Sequence, residues 1–120
     1  MRITPPLFPC LLALVLAAQS AFALSTYRSR VPNGTVFSCN TCHDPVTGAP
    51  DLNLFGNDFL ANGHVWNAAL ANLDSDGDGA KNGVELGDPT GSGTPTPGAQ
   101  VTNPGDPASK SSATAPSITT

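Results

Sequence analysis

Apolar positions gather in two stretches of the chain and thin out sharply after the second. Leu11 to Ala18 is an unbroken apolar run near the amino terminus. Between Leu52 and Pro89 the spacing becomes helical: Leu54, Phe55, Phe59 and Leu60 fit one short helix, and Trp66, Ala69, Leu70 and Leu73 recur at three- and four-residue steps. Asn53 stands where a capping residue belongs and Asn62-Gly63 ends the first helix. The second helix is predicted over His64 to Leu73, and Val84-Glu85-Leu86 fits one further turn before Gly87-Asp88-Pro89 breaks it. Leu24 to Asp51 reads as irregular, with a turn at Pro32-Asn33-Gly34 and at most a short strand near Val36-Phe37. From Thr90 onward Gly, Ser, Thr, Pro and Ala dominate, which predicts a disordered tail over residues 90–120 because little apolar area is available to offset ordering. The predicted fold class is a small, irregular, mostly α domain: short helices, a single EF-hand-like calcium loop and a long disordered C-terminal tail.

The first apolar run has the marks of a leader. Arg2 precedes it, Ala21-Phe22-Ala23 offers a small-x-small cleavage site, and the run is too short to span a bilayer. Residues 1–23 are therefore expected to be a signal peptide, leaving a domain over 24–89 that is exported, either periplasmic or secreted. The 120 residues carry 5 Lys and Arg against 9 Asp and Glu, a net charge of −4. That length excludes large two-domain enzymes, and the acidic balance excludes a nucleic-acid partner. A monomer with no membrane span in the mature chain is expected.

Cysteine usage sharpens the picture. Cys10 leaves with the leader, so only Cys39 and Cys42 remain, too few for a disulfide framework. They sit in Cys39-Asn40-Thr41-Cys42-His43, the spacing at which two thiols capture the vinyl groups of one porphyrin while the next histidine faces the iron. This predicts covalent haem c held by Cys39 and Cys42, with His43 as axial ligand. The mature chain has no methionine, so His64 is the candidate for the other iron position, giving a low-potential electron carrier. Phe37, Phe55, Phe59 and Trp66 would wall the ring, and Arg28 or Arg30 would pair with its propionates. The functional expectation is thus an exported mono-haem cytochrome passing single electrons to a redox partner protein. Competing readings of the same residues are a redox dithiol, a local disulfide, zinc on Cys39, Cys42, His43 and His64, a structural role for His64, and a haem sensor or peroxidase with an open iron.

A second pattern carries different chemistry. Asp74-Ser75-Asp76-Gly77-Asp78-Gly79-Ala80-Lys81-Asn82-Gly83-Val84-Glu85 puts oxygen donors at the EF-hand loop positions and glycine at the sharp turn. Asp74, Asp76, Asp78, Asn82 and Glu85, with the Ala80 carbonyl, are the candidate calcium ligands. Clustered carboxylates repel unless a hard cation neutralises them, and a flexible oxygen set suits Ca²⁺ better than Mg²⁺. Lys81 replaces the apolar residue that pairs two EF-hands, so a single structural loop is expected.

The stretch Asp74 to Pro89 resembles the calcium loops of thrombospondin type 3 repeats and dockerin modules. Tyr27, Val31-Pro32-Asn33-Gly34, Phe55-Gly56-Asn57-Asp58-Phe59, Gly63-His64-Val65-Trp66 and the loop through Glu85-Leu86-Gly87-Asp88-Pro89 together resemble the temptin domain, over about Tyr27 to Pro89. The resemblance implies a secreted, calcium-loop-containing, pheromone-associated scaffold. It also implies disulfide cysteines before the acidic loop and after Asp-Pro, where this chain has Leu70-Ala71 and Thr90. Temptin-like domains keep Gly-His-x-Trp without haem, which implies that His64 is structural or binds another metal. The competing function is then a non-enzymatic, calcium-stabilised secreted protein of binding or signalling type with a Cys39–Cys42 disulfide.

Overall fold

The computed structural model describes residues 23–110. Most of the expected signal peptide, residues 1–22, lies outside the described residues, as does the end of the expected tail, residues 111–120. The domain is small, mostly irregular and helical. Its α-helices are α1 (Ala23–Arg28), α2 (Leu54–Ala61), α3 (Ala68–Ala71) and α4 (Asn82–Glu85), and a 3₁₀ turn spans Ser38–Thr41. No strand occurs among the described residues; the expected strand at Val36-Phe37 is absent, and one isolated antiparallel bridge joins His43 to Leu52.

Helix α2 forms as its sequence predicts. Asn53 is extended (φ −77°, ψ −178°) and its side chain accepts the Gly56 amide at 2.8 Å, satisfying a donor the helix start leaves open. At the far end Gly63 turns left-handed (φ 70°). Phe55 and Phe59 face inward, 0% and 2% exposed, and each contributes about 1.5–3 kcal/mol by leaving water. Gly56 is required here, since a Cβ would run into the Cys42 carbonyl.

The second helix is shorter than its periodicity predicts. His64 follows Gly63 into the left-handed region (φ 57°), so the chain cannot start a helix there. Asn67 is extended and caps α3 by accepting the Leu70 amide at 3.1 Å. Only Leu70 and Ala71 of that stretch are buried, while Leu73 is left exposed.

Val31, Phe55, Phe59, Leu70 and Leu86 form the core, with Tyr27, Cys42, Trp66 and Val101 packed against it. Val101 belongs to the stretch expected to be tail. Thr102, Asn103 and Pro104 are buried as well. The Thr102 amide donates to the Glu85 carbonyl at 2.9 Å and its hydroxyl to Glu85 Oε1 at 3.0 Å. Asn103 Nδ2 donates to the Asn40 carbonyl at 3.0 Å, and Thr96 N to the Gly87 carbonyl at 2.7 Å. The packed part of the chain therefore continues past Pro89 to the last described residues. This segment is fixed by side-chain amides, hydroxyls and turns more than by apolar area, which is why its composition predicted disorder.

Candidate functional sites

The acidic loop connects α3 to α4. Asp74, Asp76 and Asp78 each offer a carboxylate oxygen, all within 4.8 Å of one another. Backbone amides hold the loop open for them: Asp74 Oδ1 accepts from Gly77 at 2.8 Å, Asp74 Oδ2 from Gly79 at 2.9 Å, and Asp78 Oδ1 from Ala80 at 2.7 Å. Two buried oxygens, Asp76 Oδ2 and Glu85 Oε2, have no hydrogen-bond partner, although Asp76 is only 8% and Glu85 only 2% exposed. Burial pushes the Glu85 carboxyl up to about 7, helped by the charges of Asp76, Asp78 and Asp74 and opposed by the Thr102 hydroxyl. Burial, with the Asp78 and Asp74 carboxylates, also raises Asp76 against the pull of the Asp78 amide.

Orphaned buried carboxylate oxygens beside two further carboxylates are a donor set for a hard divalent cation. The Asp74, Asp76 and Asp78 carboxylates converge as such a set, and the unpartnered Oε2 of Glu85 is a further candidate donor for Ca²⁺. Asn82 is placed differently. Fully buried, it donates from Nδ2 to the Leu70 carbonyl at 2.9 Å and to Ser75 Oγ at 2.8 Å, while its Oδ1 accepts the Ser75 amide at 3.2 Å. Its amide fastens the loop to α3. Ser75 Oγ in turn donates to Asp58 Oδ2 at 2.7 Å, tying the loop to α2.

The cysteine motif lies on the other side of α2. Its 3₁₀ turn closes through Cys42 N and His43 N, which donate to the Cys39 carbonyl at 3.2 and 2.9 Å. Cys39 is exposed, Cys42 is half-buried, and both are free thiols. Burial, with the neighbouring Cys39, pushes the Cys42 thiol up to about 11, so it stays protonated at neutral pH and is a poor nucleophile. His43 Nδ1 meets the Asp51 carbonyl at 3.0 Å. His64 stacks on Tyr27 with ring centroids 4.2 Å apart and meets the Phe59 ring edge-on at 5.3 Å.

Cys39, Cys42, His43 and His64 all line one cavity of about 160 Å³, shared with Tyr27, Phe59 and Leu52. They share a pocket but not a point: among the described residues the cluster able to hold an ion is the aspartate triad. The other expected haem neighbours do different work. Phe55 and Trp66 pack on each other at 6.5 Å, Arg28 Nη1 donates to Ser38 Oγ at 2.8 Å, and Arg30 lies 5.1 Å over the Tyr27 ring.

One structural hub escaped the sequence reading. Asp88, 1% exposed, accepts from Trp66 Nε1 and the Gly93 amide at 2.7 Å each, and from Ser92 Oγ at 3.0 Å. Burial opposes its charge, but these donors outweigh it and hold its carboxyl below the usual range. Asp-Pro followed by Thr, Gly and Ser was the available signal, since a carboxylate there can gather the amides of the next turn.

Comparison with known proteins gives one family and one relative. The family described as Temptin C-terminal matches residues 21–109. Temptin of Aplysia californica is 44% identical over 87 residues, covering 65% of this chain and 70% of that protein. No solved structure matches.

These matches overturn the expectation that the exported chain is a mono-haem c-type cytochrome engaged in electron transfer. The match takes in the cysteine turn and the stretch through residue 109 as one temptin-like unit. Phe55, Leu70 and Leu86 are fully buried by the chain itself, and Val101 packs against that core. The same likeness supports an exported protein and gives no support for the periplasm. Among the described residues, no helix is long and apolar enough to cross a membrane.

Proposed function

Because the chain belongs to the Temptin C-terminal family, we propose that it is a secreted temptin-like binding protein of extracellular signalling, stabilised by one Ca²⁺ in its acidic loop. The family match over residues 21–109 supports the temptin-like role. The unpartnered oxygens of Asp76 and Glu85 carry the calcium reading, since one buried oxygen without a donor on each carboxylate is otherwise a standing cost. Asp74, Asp76, Asp78 and Glu85 would hold the ion, which supplies positive charge and fixes the loop. Glu85 also accepts the Thr102 hydroxyl, so it joins the loop to the C-terminal segment. Asn82 positions the loop from behind.

Calorimetric titration of the secreted protein with Ca²⁺ tests this reading. We expect one ion per chain with a dissociation constant on the order of 10⁻⁴–10⁻³ M, the range of extracellular calcium modules. Glu85→Gln and Asp76→Asn should each weaken binding at least about tenfold. Heats no larger than dilution for a folded wild-type protein would remove the calcium site and leave the family assignment standing.

A further inference from the structure

The cavity beside the cysteine turn has features of a ligand site that the scaffold does not need for its own stability. Its volume, about 160 Å³, matches a single six-membered ring; an engineered cavity of roughly 150 Å³ is known to take benzene. Its walls are mostly apolar: the Tyr27 and Phe59 rings, Leu52 and the Cys42 side chain. The imidazole of His64, stacked flat on Tyr27 at 4.2 Å, extends the aromatic wall.

Two further observations point to a bound molecule. Three non-glycine residues have left-handed backbone among the described residues, and two of them, Ser38 (φ 56°) and His64 (φ 57°), line this cavity. Such strain costs about 1 kcal/mol or more per residue and persists where surrounding structure holds a side chain in a required place. The polar groups at the cavity are also left half-used. Ser38 Oγ accepts from Arg28 at 2.8 Å, which leaves its O–H free to donate. The Asp51 carbonyl can only accept, so the His43 ring donates from Nδ1, which leaves Nε2 as its acceptor.

From these features we infer that the cavity beside the cysteine turn binds a small hydroxylated aromatic molecule, one ring with a phenolic or benzylic hydroxyl. The ring lies against Tyr27, His64 and Phe59. The hydroxyl donates to His43 Nε2 and accepts from Ser38. No covalent step is involved. The inference stands apart from the calcium reading, because the acidic loop contributes no residue to this cavity.

The test is a titration of the ¹⁵N-labelled secreted protein with p-cresol, followed by amide shifts. Saturable binding is expected with a dissociation constant on the order of 0.1–1 mM, as suits a ligand of this size. Shifts should concentrate on Tyr27, Ser38, Cys39, His43 and His64, and toluene should bind at least about fivefold more weakly for want of the hydroxyl. Cys39→Trp, at the exposed edge of the cavity, should block binding without unfolding the domain. His64→Asn keeps a residue that tolerates the left-handed backbone and should weaken binding by removing one wall. Non-saturable shifts, shifts centred elsewhere, or unchanged affinity in both folded variants would overturn the site. Equal affinity for toluene and p-cresol would overturn the hydroxylated class.

Discussion

Single polar side chains hold much of this domain together, and Asn53 shows how. Its Oδ1 caps α2 while its Nδ2 donates to the carbonyls of Asn40 at 3.0 Å and Thr41 at 3.1 Å. Gly105 lies so close to this amide that a Cβ would collide with it. Asn53→Ala removes the cap and strips donors from a buried turn, so urea unfolding should show a loss of about 2 kcal/mol; a loss under about 0.5 kcal/mol would contradict the assignment. Asp88 is the second such residue. Its folded value is depressed, so its contribution is present above the ordinary carboxylate range and is lost as pH falls through that depressed value. Trp66→Phe removes one of its donors and should cost about 1.5–3 kcal/mol, as expected for a hydrogen bond to a charged group. The same variant should also move the acid-unfolding midpoint of the domain upward in pH, readable by circular dichroism.

At the scale of elements, legibility followed the kind of force involved. Helix α2 was readable because a capping asparagine, two inward phenylalanines and a terminal Asn-Gly all agree. The second helix was over-extended because Trp66 and Leu73 fit its period, while the left-handed turn at Gly63-His64 redirects Trp66 toward Asp88. The convergence of Asp74, Asp76 and Asp78 was legible from their alternate spacing, whereas Asn82 spends its amide on Leu70 and Ser75. The cysteine motif misled about function because its spacing speaks of attachment chemistry alone, while the chain around it matches a temptin domain.

The loop makes its own pH prediction. Glu85 has a folded value of about 7, above the 4.5 of an unperturbed glutamate, so the calcium-free folded state holds this proton more tightly than the unfolded chain does. Stability from that difference is full below the unfolded value and is lost as pH rises through about 7. Calcium-free protein should therefore melt at a lower temperature at pH 8 than at pH 5.5, and Glu85→Gln should flatten the slope. Calcium must displace the same proton, so its affinity should fall as pH drops below about 7.

For the whole molecule, the segment from Thr90 to Lys110 decides whether the chain closes on itself. Thr102 clasps Glu85, Asn103 clasps the turn that carries the cysteines, and Val101 covers the core. One strap thus spans both candidate sites. A chain ending at Pro89 should lose cooperative unfolding, and Thr102→Val, which removes only the hydroxyl, should lower stability by about 1–2 kcal/mol. Composition hid this segment because its stabilising groups are amides and hydroxyls whose partners lie far away in sequence. The core was legible in its aromatic members, Phe55 and Phe59, and illegible in Val101, the one large apolar residue between Thr90 and Lys110.

The most direct test of the account is the melting temperature of the secreted protein in chelator and in about 5 mM Ca²⁺ at pH 7.5, a concentration well above the expected dissociation constant. Ligand linkage predicts a stabilisation of about 1–2 kcal/mol, hence a rise of roughly 5–12 °C for a domain this small, abolished in Glu85→Gln. An unchanged melting temperature in the wild type, or an equal rise in Glu85→Gln, would contradict it.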